Sequence, residues 1–555
     1  MDNEKLKKFI TTTLDQLKSE KAPIEEKMKE ACAYLEHRTM EPHSKVPKIT
    51  VHTDTPKDAI NTCVHGIAGY LLSPSIRWFK YVTKGENFEK SDTLYGAEDW
   101  LENVTTLQYS LYSNSRFYAT STEALRDAII TGTSYEMVSD RIATDKKIVF
   151  DVYNPFECYI AEDASGTVDT FFREYSMTAK QAYDRFGEDL PEEVKRLLRD
   201  EGGNPYQECT FVHAIYPRKD YLTGLVASKN KRFASVHYSK MGDAIIQESG
   251  YDDFPLAIHR WRKLAGTPYG LGLVMEHIAE IRKLDDREKQ LSIAIQFQGT
   301  PTIYAPEHLK GRFVFRPGYV NFGPLNLGKP EPLQTQFNID HARVEVQELR
   351  NMVSRLLYAD LFNILMRQER QRTAYEVQEI KGEGLILLSA IIGNMQDEKL
   401  SPLVLRTFRI MFNSGLLPQP PEELVKASAS GRVNIELDGP LAQTMKAYHQ
   451  ATGLEQGLAA IAAGVQIFPN AIVNFDEDEI LRQYATAKGI PQSCVREIAD
   501  VQKIKEQQAQ IQAEQEQQAQ ALQQSQVLKN LGYNAASAMG AGQSMQQQSL
   551  PGGVM

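Results

Sequence analysis

The chain has 555 residues, too many for one compact core, so several structural regions are expected. Apolar residues make up 42% and charged residues 24%, a normal folded-protein balance, and the net charge of −10 excludes a protein that grips phosphate over its whole surface. Cys32, Cys63, Cys158, Cys209 and Cys494 are scattered, odd in number and without C-x-x-C spacing, which argues against a disulfide framework and against a zinc site.

Residues 1–8 run directly into an amphipathic pattern and not into an apolar leader. The longest apolar runs, 384–393 and 457–468, are far shorter than a bilayer span, so a soluble protein made in the cytoplasm is expected. Leu6, Phe9, Ile10, Leu14 and Leu17 recur at helical spacing, and a second helix is predicted to start at Pro23, with Ile24, Met28, Ala31, Cys32 and Leu35 on one face. A third is predicted from Thr55-Pro56, with Thr55 as N-cap, the stripe Ile60, Val64, Ile67 and Leu71, and a stop at Ser73-Pro74.

From there to about 262 the texture is mixed. Strands are predicted at 76–82, 147–152, 168–175, 210–216 and 232–238, and helices at 97–111, 121–131 and 178–186, the last stopped by Gly187. Residues 271–298 carry no Gly or Pro after Gly272, and Val274, Ile278, Ile281, Leu284, Leu291 and Ile295 form one stripe; such a helix would reach about 40 Å. Residues 299–336 are rich in Pro, Gly and aromatics, with strand-like pieces at 302–304 and 312–315. A second long helix is predicted over 340–365, with Val346, Leu349, Val353, Leu356 and Leu357 on one side. Thr373-Ala374-Tyr375-Glu376 matches a capping box that opens a further helix, continuing past Pro402 toward Phe412. Residues 422–499 read as helical. From 501 the chain is rich in Gln and Ala, helical at first and then too poor in large apolar residues to stay ordered.

A search for chemistry finds little. Gly270-Leu271-Gly272 lacks the third glycine of a dinucleotide fingerprint, no phosphate-binding loop or G-x-S-x-G elbow occurs, and His277 has no second histidine four residues on. Asp285-Asp286 with Glu288 resembles a metal cluster only in composition. Flanked by Arg282, Lys283, Arg287 and Lys289 on a helix, these acids read as a solvated face. His259, in Leu256-Ala257-Ile258-His259-Arg260-Trp261, reads as a structural strand residue and not as a base. Arg367, Arg370 and Arg372 are the candidate phosphate-contacting residues, because guanidinium groups engage phosphate without reading sequence. The plainer reading is that they pair at helix ends with Glu369 and Glu376.

Several motifs together carry a resemblance. The run 61–83, with Gly66, Gly69, Ser73-Pro74 and Arg77-Trp78-Phe79, resembles the opening of the portal (head-to-tail connector) family of short-tailed bacteriophages. So do Gly132-Thr133, residues 163–170 leading to Arg173 and Met177-Thr178-Ala179, and 255–261 followed by Pro268-Tyr269-Gly270. Arg372-Thr373-Ala374-Tyr375-Glu376-Val377 is similar to the family's Thr-Ala-x-Glu-Val stretch, and Gly415-Leu416-Leu417-Pro418 follows in the usual order. The similarity spans about 31–421.

The resemblance implies an α+β, mostly helical portal fold with wing, stem, clip and crown, assembled as a dodecameric ring. It would divide the chain into wing 1–266, stem helix 267–298, clip 299–336, second stem helix 337–359, tunnel loop 360–372, wing return helix 373–421 and crown 422–500. Residues 501–555 would begin a helical barrel or form a disordered tail. It implies a channel at one capsid vertex of the virion through which double-stranded DNA passes without sequence specificity. The implied partners are a terminase packaging motor, major capsid and scaffolding proteins and tail adaptors, with no membrane, metal, cofactor or catalytic residue. Arg367, Arg370 and Arg372 would face the DNA. A net negative protein suits a conduit that must let DNA slide. The competing expectations are another phage structural protein, such as a tail adaptor or minor capsid component, and, from a different class, a cytosolic hydrolase.

Overall fold

The computed structural model describes residues 3–41, 44–83, 94–140, 148–199, 202–221, 230–305, 337–366, 392–421 and 433–437, with short pieces elsewhere. The chain divides into two units, Met1–Met445 and Lys446–Met555. In the second, the described stretches 480–482 and 503–505 are helical. The predicted pieces at 312–315 and 373–383, and nearly all of 422–499, lie outside the described residues.

The first element corrects the sequence reading. Helix α1 (Asn3–Tyr34) runs straight through Pro23, where two helices were expected. A proline inside a helix costs about 3 kcal/mol, and burial on both sides of it offsets that. Leu6, Ile10, Leu14 and Leu17 pack on one sheet, while Met28, Ala31 and Cys32 enter a separate helical core. Between them Lys21 is fully buried, donating to the carbonyls of Pro155 and Cys158 and lying over the Tyr159 ring. Burial pushes its ammonium down to about 8. Helix α2 (Thr55–Leu71) buries the expected stripe, with Asp54 and not Thr55 at the N-cap position.

Two sheets build the mixed region. Strands β4 (Cys158–Glu162), β5 (Val168–Thr178), β6 (Glu208–Pro217), β7 (Phe233–Ser239) and β8 (Ala244–Tyr251) form an antiparallel meander in sequence order. A smaller sheet has the order β3-β2-β9, from β2 (Thr133–Asp140), β3 (Ile148–Tyr153) and β9 (Leu256–Arg260), and after it the short strands β10 (Arg262–Lys263) and β11 (Gly270–Leu271) pair antiparallel. The two-residue period of strands divides the meander cleanly. Phe172, Val212, Ala214, Val236 and Tyr238 lie under α1. On the opposite face Phe171, Ile215 and Phe233 meet Tyr135, Met137 and Ile258 of the smaller sheet. Farther along that face, helices α5 (Ala179–Phe186) and α6 (Glu192–Arg199) cover Tyr175, Phe211 and Ile246. Helix α5 ends at Gly187 as expected, and at its start Thr178 and Gln181 form a reciprocal capping box that the sequence reading did not single out.

Strands β2, β4, β8 and α6 escaped the periodicity reading. Six of the eight residues of β2 are buried, so it shows no alternation to detect.

The remaining helices gather in one large core. They are α3 (Leu94–Ser113), α4 (Phe117–Thr131), the single turn α7 (Leu273–Glu276), α8 (Ile278–Gly299), α9 (Ile339–Leu356), α10 (Ala359–Met366) and α11 (Ser401–Asn413). An aromatic group anchors the core: Tyr112 stacks on Phe117 at 4.0 Å, and the Tyr109 hydroxyl accepts the backbone amide of Phe79 at 2.6 Å. Strand β1 (Phe79–Thr83) pairs antiparallel with β14 (Val433–Leu437), with Tyr81 opposite Ile435. Helix had been expected at 433–437, so this strand is a correction. Strand pairing across some 350 residues leaves no local trace.

Three histidines are buried in these sheets. His213 and His237 stack at 4.1 Å on neighbouring strands, and His259 is fully buried on β9, as expected of a structural strand residue. Burial, reinforced by Lys399 and Arg260 for His259 and by Arg185 for His237, pushes both of these down to about 3, and His213 also well below its ordinary value. Below pH 6.5 an unfolded chain binds protons that the folded histidines resist, so stability held above that pH is lost as pH falls. Between pH 6.5 and about 5.5, above most carboxylate titration, we expect a progressive fall in thermal midpoint, reduced when His237 and His259 are both changed to Gln. A midpoint that stays flat across that window in the parent protein would refute this.

Candidate functional site

Some of the residues that carried the resemblance, Gly132-Thr133, Trp261 and Tyr269-Gly270, meet in space. Gly132 ends α4 with φ +87, a left-handed conformation glycine adopts without penalty. Its backbone touches that of Gly270 and Gly272: a Cβ on Gly132 would lie 2.2 Å from the Gly270 carbonyl oxygen. The Gly270 amide donates to Thr133 Oγ1 at 3.0 Å, and the Trp261 amide to the Gly132 carbonyl at 2.9 Å. Tyr269 is buried beside this crossing and accepts the Ile160 amide at 3.1 Å. The chain thus passes from sheet into helix through a contact that leaves no space for side chains.

Next to the crossing lies a buried charge network. Residues Gln396–Leu400 form a π-helical turn leading into α11. The wider turn presents consecutive side chains to different partners. Glu398 accepts the Arg260 backbone amide at 2.9 Å and its Nε at 3.0 Å. The same guanidinium reaches Glu162 in the β4–β5 hairpin and the Gly166 carbonyl, while Asn394 donates to the Arg260 carbonyl. Lys399 pairs with Glu136 of β2 at 2.6 Å, both side chains 1% exposed, and Ser121 of α4 donates to the same carboxylate at 2.8 Å. A second cluster joins Asp127 of α4 to Arg38 at 2.6 Å and to His37 at 2.8 Å. The carboxyl of Asp127 is held below its usual range: burial raises it, but Arg38 and the His37 hydrogen bond outweigh that.

From this root the paired helices α8 and α9 extend, running back along each other through Leu284, Leu291, Val346, Leu349 and Val353. At 22 residues α8 is about 33 Å long. The single 271–298 helix expected from sequence is interrupted at His277, where α7 first buries Leu273, Val274 and Met275 and the chain then redirects. The acids read as a solvated face are also corrected. Asp286 is exposed, but Asp285 is buried and accepts from the His52 backbone amide at 2.5 Å and from its ring at 3.1 Å. Glu288 is buried and paired with Arg350 of α9 at 2.5 Å. Positions 281, 284, 285 and 288 share the inner face of α8, which is why composition alone misplaced them.

Beyond that root large apolar side chains are exposed: Ile295 of the inner stripe, Ile293 and Phe297 on other faces of α8, Phe337 just before α9, and Val344 within it. A groove of about 310 Å³ opens between the helices, lined by Arg287, Leu291, Phe337, His341 and Glu345 among others. The strand-like piece expected at 302–304 is β12 (Ile303–Tyr304), paired antiparallel with β13 (Glu331–Pro332) beyond the helix ends.

Arg367, Arg370 and Arg372 lie outside the described residues. They begin immediately after α10, which sits where a loop from 360 was expected. Among the described residues no group of three His, Cys, Asp or Glu side chains is placed to hold a metal, and no helix is long and apolar enough to cross a membrane. Arg260, Glu136, Glu398 and Lys399 were not singled out by sequence reasoning. The one signal was a charged residue at the end of the apolar strand 256–260.

Residues 7–495 match the family described as bacteriophage head to tail connecting protein. The chain belongs to that family. It is 27% identical over 499 residues to a probable portal protein of Bordetella phage BPP-1, covering 89% of this chain and 86% of that protein. It is 27% identical over 456 residues to the portal protein of Salmonella phage epsilon15, covering 80% and 79% respectively. The connector is therefore a phage structural component of the capsid–tail junction, and the site built here is a mechanical joint: buried ion pairs and a glycine crossing that tie sheets to a projecting helix pair.

Removing one partner of the Glu136–Lys399 pair should cost far more than removing both, because a lone charge would remain buried. We expect Lys399→Met to lower stability by about 3–5 kcal/mol, and Glu136→Gln/Lys399→Met to recover most of it, measured by chemical denaturation at fixed protein concentration. Equal losses in the two variants would show that the pair is not coupled.

Proposed function

We propose that this connector assembles as a dodecameric ring at one capsid vertex and forms the channel through which phage DNA is packaged and ejected. The observation that carries the reading is the helix pair α8–α9. It projects from a folded body, ends in a short β ladder, and exposes Ile293, Ile295, Phe297, Phe337 and Val344 along its outer half. An apolar surface of this kind on an extended hairpin is covered when copies pack side by side, each offering one surface to a different surface of the next, which closes a ring.

In that reading the sheets and helices up to about 266 form the wing and α8 and α9 the stem. Residues 299–336 form the clip, the chain from the end of α10 to 372 a tunnel loop, 373–421 with strand 433–437 the return to the wing, and 438–500 the crown. The clip would dock the terminase packaging motor, which supplies the energy of translocation, and later the tail adaptors. Scaffolding and major capsid proteins would meet the wing during head assembly. The net charge of −10 suits a lumen that does not hold the duplex. The role is structural and not enzymatic.

Electron micrographs of the purified full-length protein should show rings with a central hole; a monomer at micromolar concentration by light scattering would overturn the reading. Arg367, Arg370 and Arg372 are proposed to contact phosphate in the channel. Replacing all three by Ala should leave ring assembly intact and lower the fraction of DNA-filled heads. Normal filling would remove them from the DNA path.

A further inference from the structure

Two glycines of the same helix have opposite surroundings. Both Gly66 and Gly69 lie on α2. Gly69 is exposed and has nothing within 4 Å of where a Cβ would stand, so its lack of a side chain serves no packing purpose there. Gly66 is buried against the Phe362 ring, whose Cδ1 lies 2.3 Å from the position a Cβ would occupy. Any side chain at 66 must displace that ring.

Phe362 is 1% exposed and also contacts the ring of Tyr70, one helical turn beyond Gly66, at 6.4 Å. It is the inward anchor of α10, an eight-residue helix too short to hold itself together in water. Between α9 and α10 stands Tyr358 with φ +59, a left-handed conformation that a bulky side chain adopts only at a cost. A break of this kind persists when something beyond it is held, and Phe362 in the Gly66 notch is what is held. Helix α10 ends at Met366, and the next residue is Arg367.

We infer that Gly66 and Phe362 form a keyhole and key that position the start of the arginine segment 367–372, so that α2 of the body dictates where that segment leaves the fold. The functional part of this rests on the proposed DNA contact of those arginines; the anchoring itself does not. Gly66 and Phe362 are then positioning residues, acting on DNA only through the chain they hold.

The test compares full-length Gly66→Ala, Gly69→Ala, Phe362→Ala and the double variant Gly66→Ala/Phe362→Leu, which makes room for the added methyl. Alanine is the better helix former, so a gain in α2 propensity opposes any general damage. Amide exchange over 359–366 should rise about tenfold or more in Gly66→Ala and Phe362→Ala. It should stay at the parent rate in Gly69→Ala and return toward it in the double variant, with ring assembly unchanged throughout. The fraction of DNA-filled heads should fall and recover in the same order. Unchanged exchange over 359–366 in Gly66→Ala would overturn the keyhole, as would an equal rise throughout α2 and α9. Loosened exchange with normal filling, while the triple arginine variant fills poorly, would overturn the positioning role. If the triple variant also fills normally, the proposed DNA contact is what fails, and the exchange data still support the anchor.

Discussion

Arg260 sits almost wholly out of water at the end of an otherwise apolar strand, and a charge in that position must be neutralised where it lies. Its partners come from two distant parts of the chain. Glu162 belongs to the hairpin that opens the larger sheet, and Glu398 belongs to the turn that brings the chain back from beyond α10. Satisfying one guanidinium therefore brings three separate segments into register. Beside it, Lys399 and Glu136 repeat the same constraint from the next position of the π-helical turn. Residues 398 and 399 are consecutive on this turn, so their side chains diverge and enter two adjacent buried sites.

The glycine crossing depends on that junction and supports it in turn. Gly132 and Gly270 approach backbone to backbone within a step of Arg260, so the sheet's return strand and the entry to α7 and α8 share one rigid corner. A helix pair about 33 Å long acts as a lever, and small rotations at its root become large displacements at its tip. Buried ion pairs are weak contributors to net stability, yet they fix geometry, because each alternative arrangement leaves a charge unpaired. At the root of a long helix pair, such pairing restricts how the helices can leave the sheets.

The outer half of α8 and α9 shows the complementary principle. Near the root, Asp285 and Glu288 are buried against His52 and Arg350, and the apolar stripe is covered within the chain. Farther out, large apolar side chains among the described residues remain in water. The helix pair is thus covered at its root and apolar and open along its outer half, which is the feature the proposed function has to explain.

Local periodicity was enough to locate most helices, the Gly187 stop and five of the strands, because those signals act over a few residues. The family itself was legible from motifs taken in order, Gly132-Thr133 and Pro268-Tyr269-Gly270 among them, although nothing local said that these glycines touch. Tertiary structure alone decided the rest. It kept α1 continuous through Pro23, interrupted the long helices at His277 and Tyr358, and brought 433–437 back to pair with β1. It also turned Asp285 and Glu288 inward, and it gave Gly66 a purpose that Gly69 lacks. The physical reason is the same throughout: each of these outcomes depends on what lies against the residue from far along the chain, 62 positions away for Glu288 and Arg350 and 233 for Asp285 and His52, and a side chain's own neighbours in sequence carry no record of that.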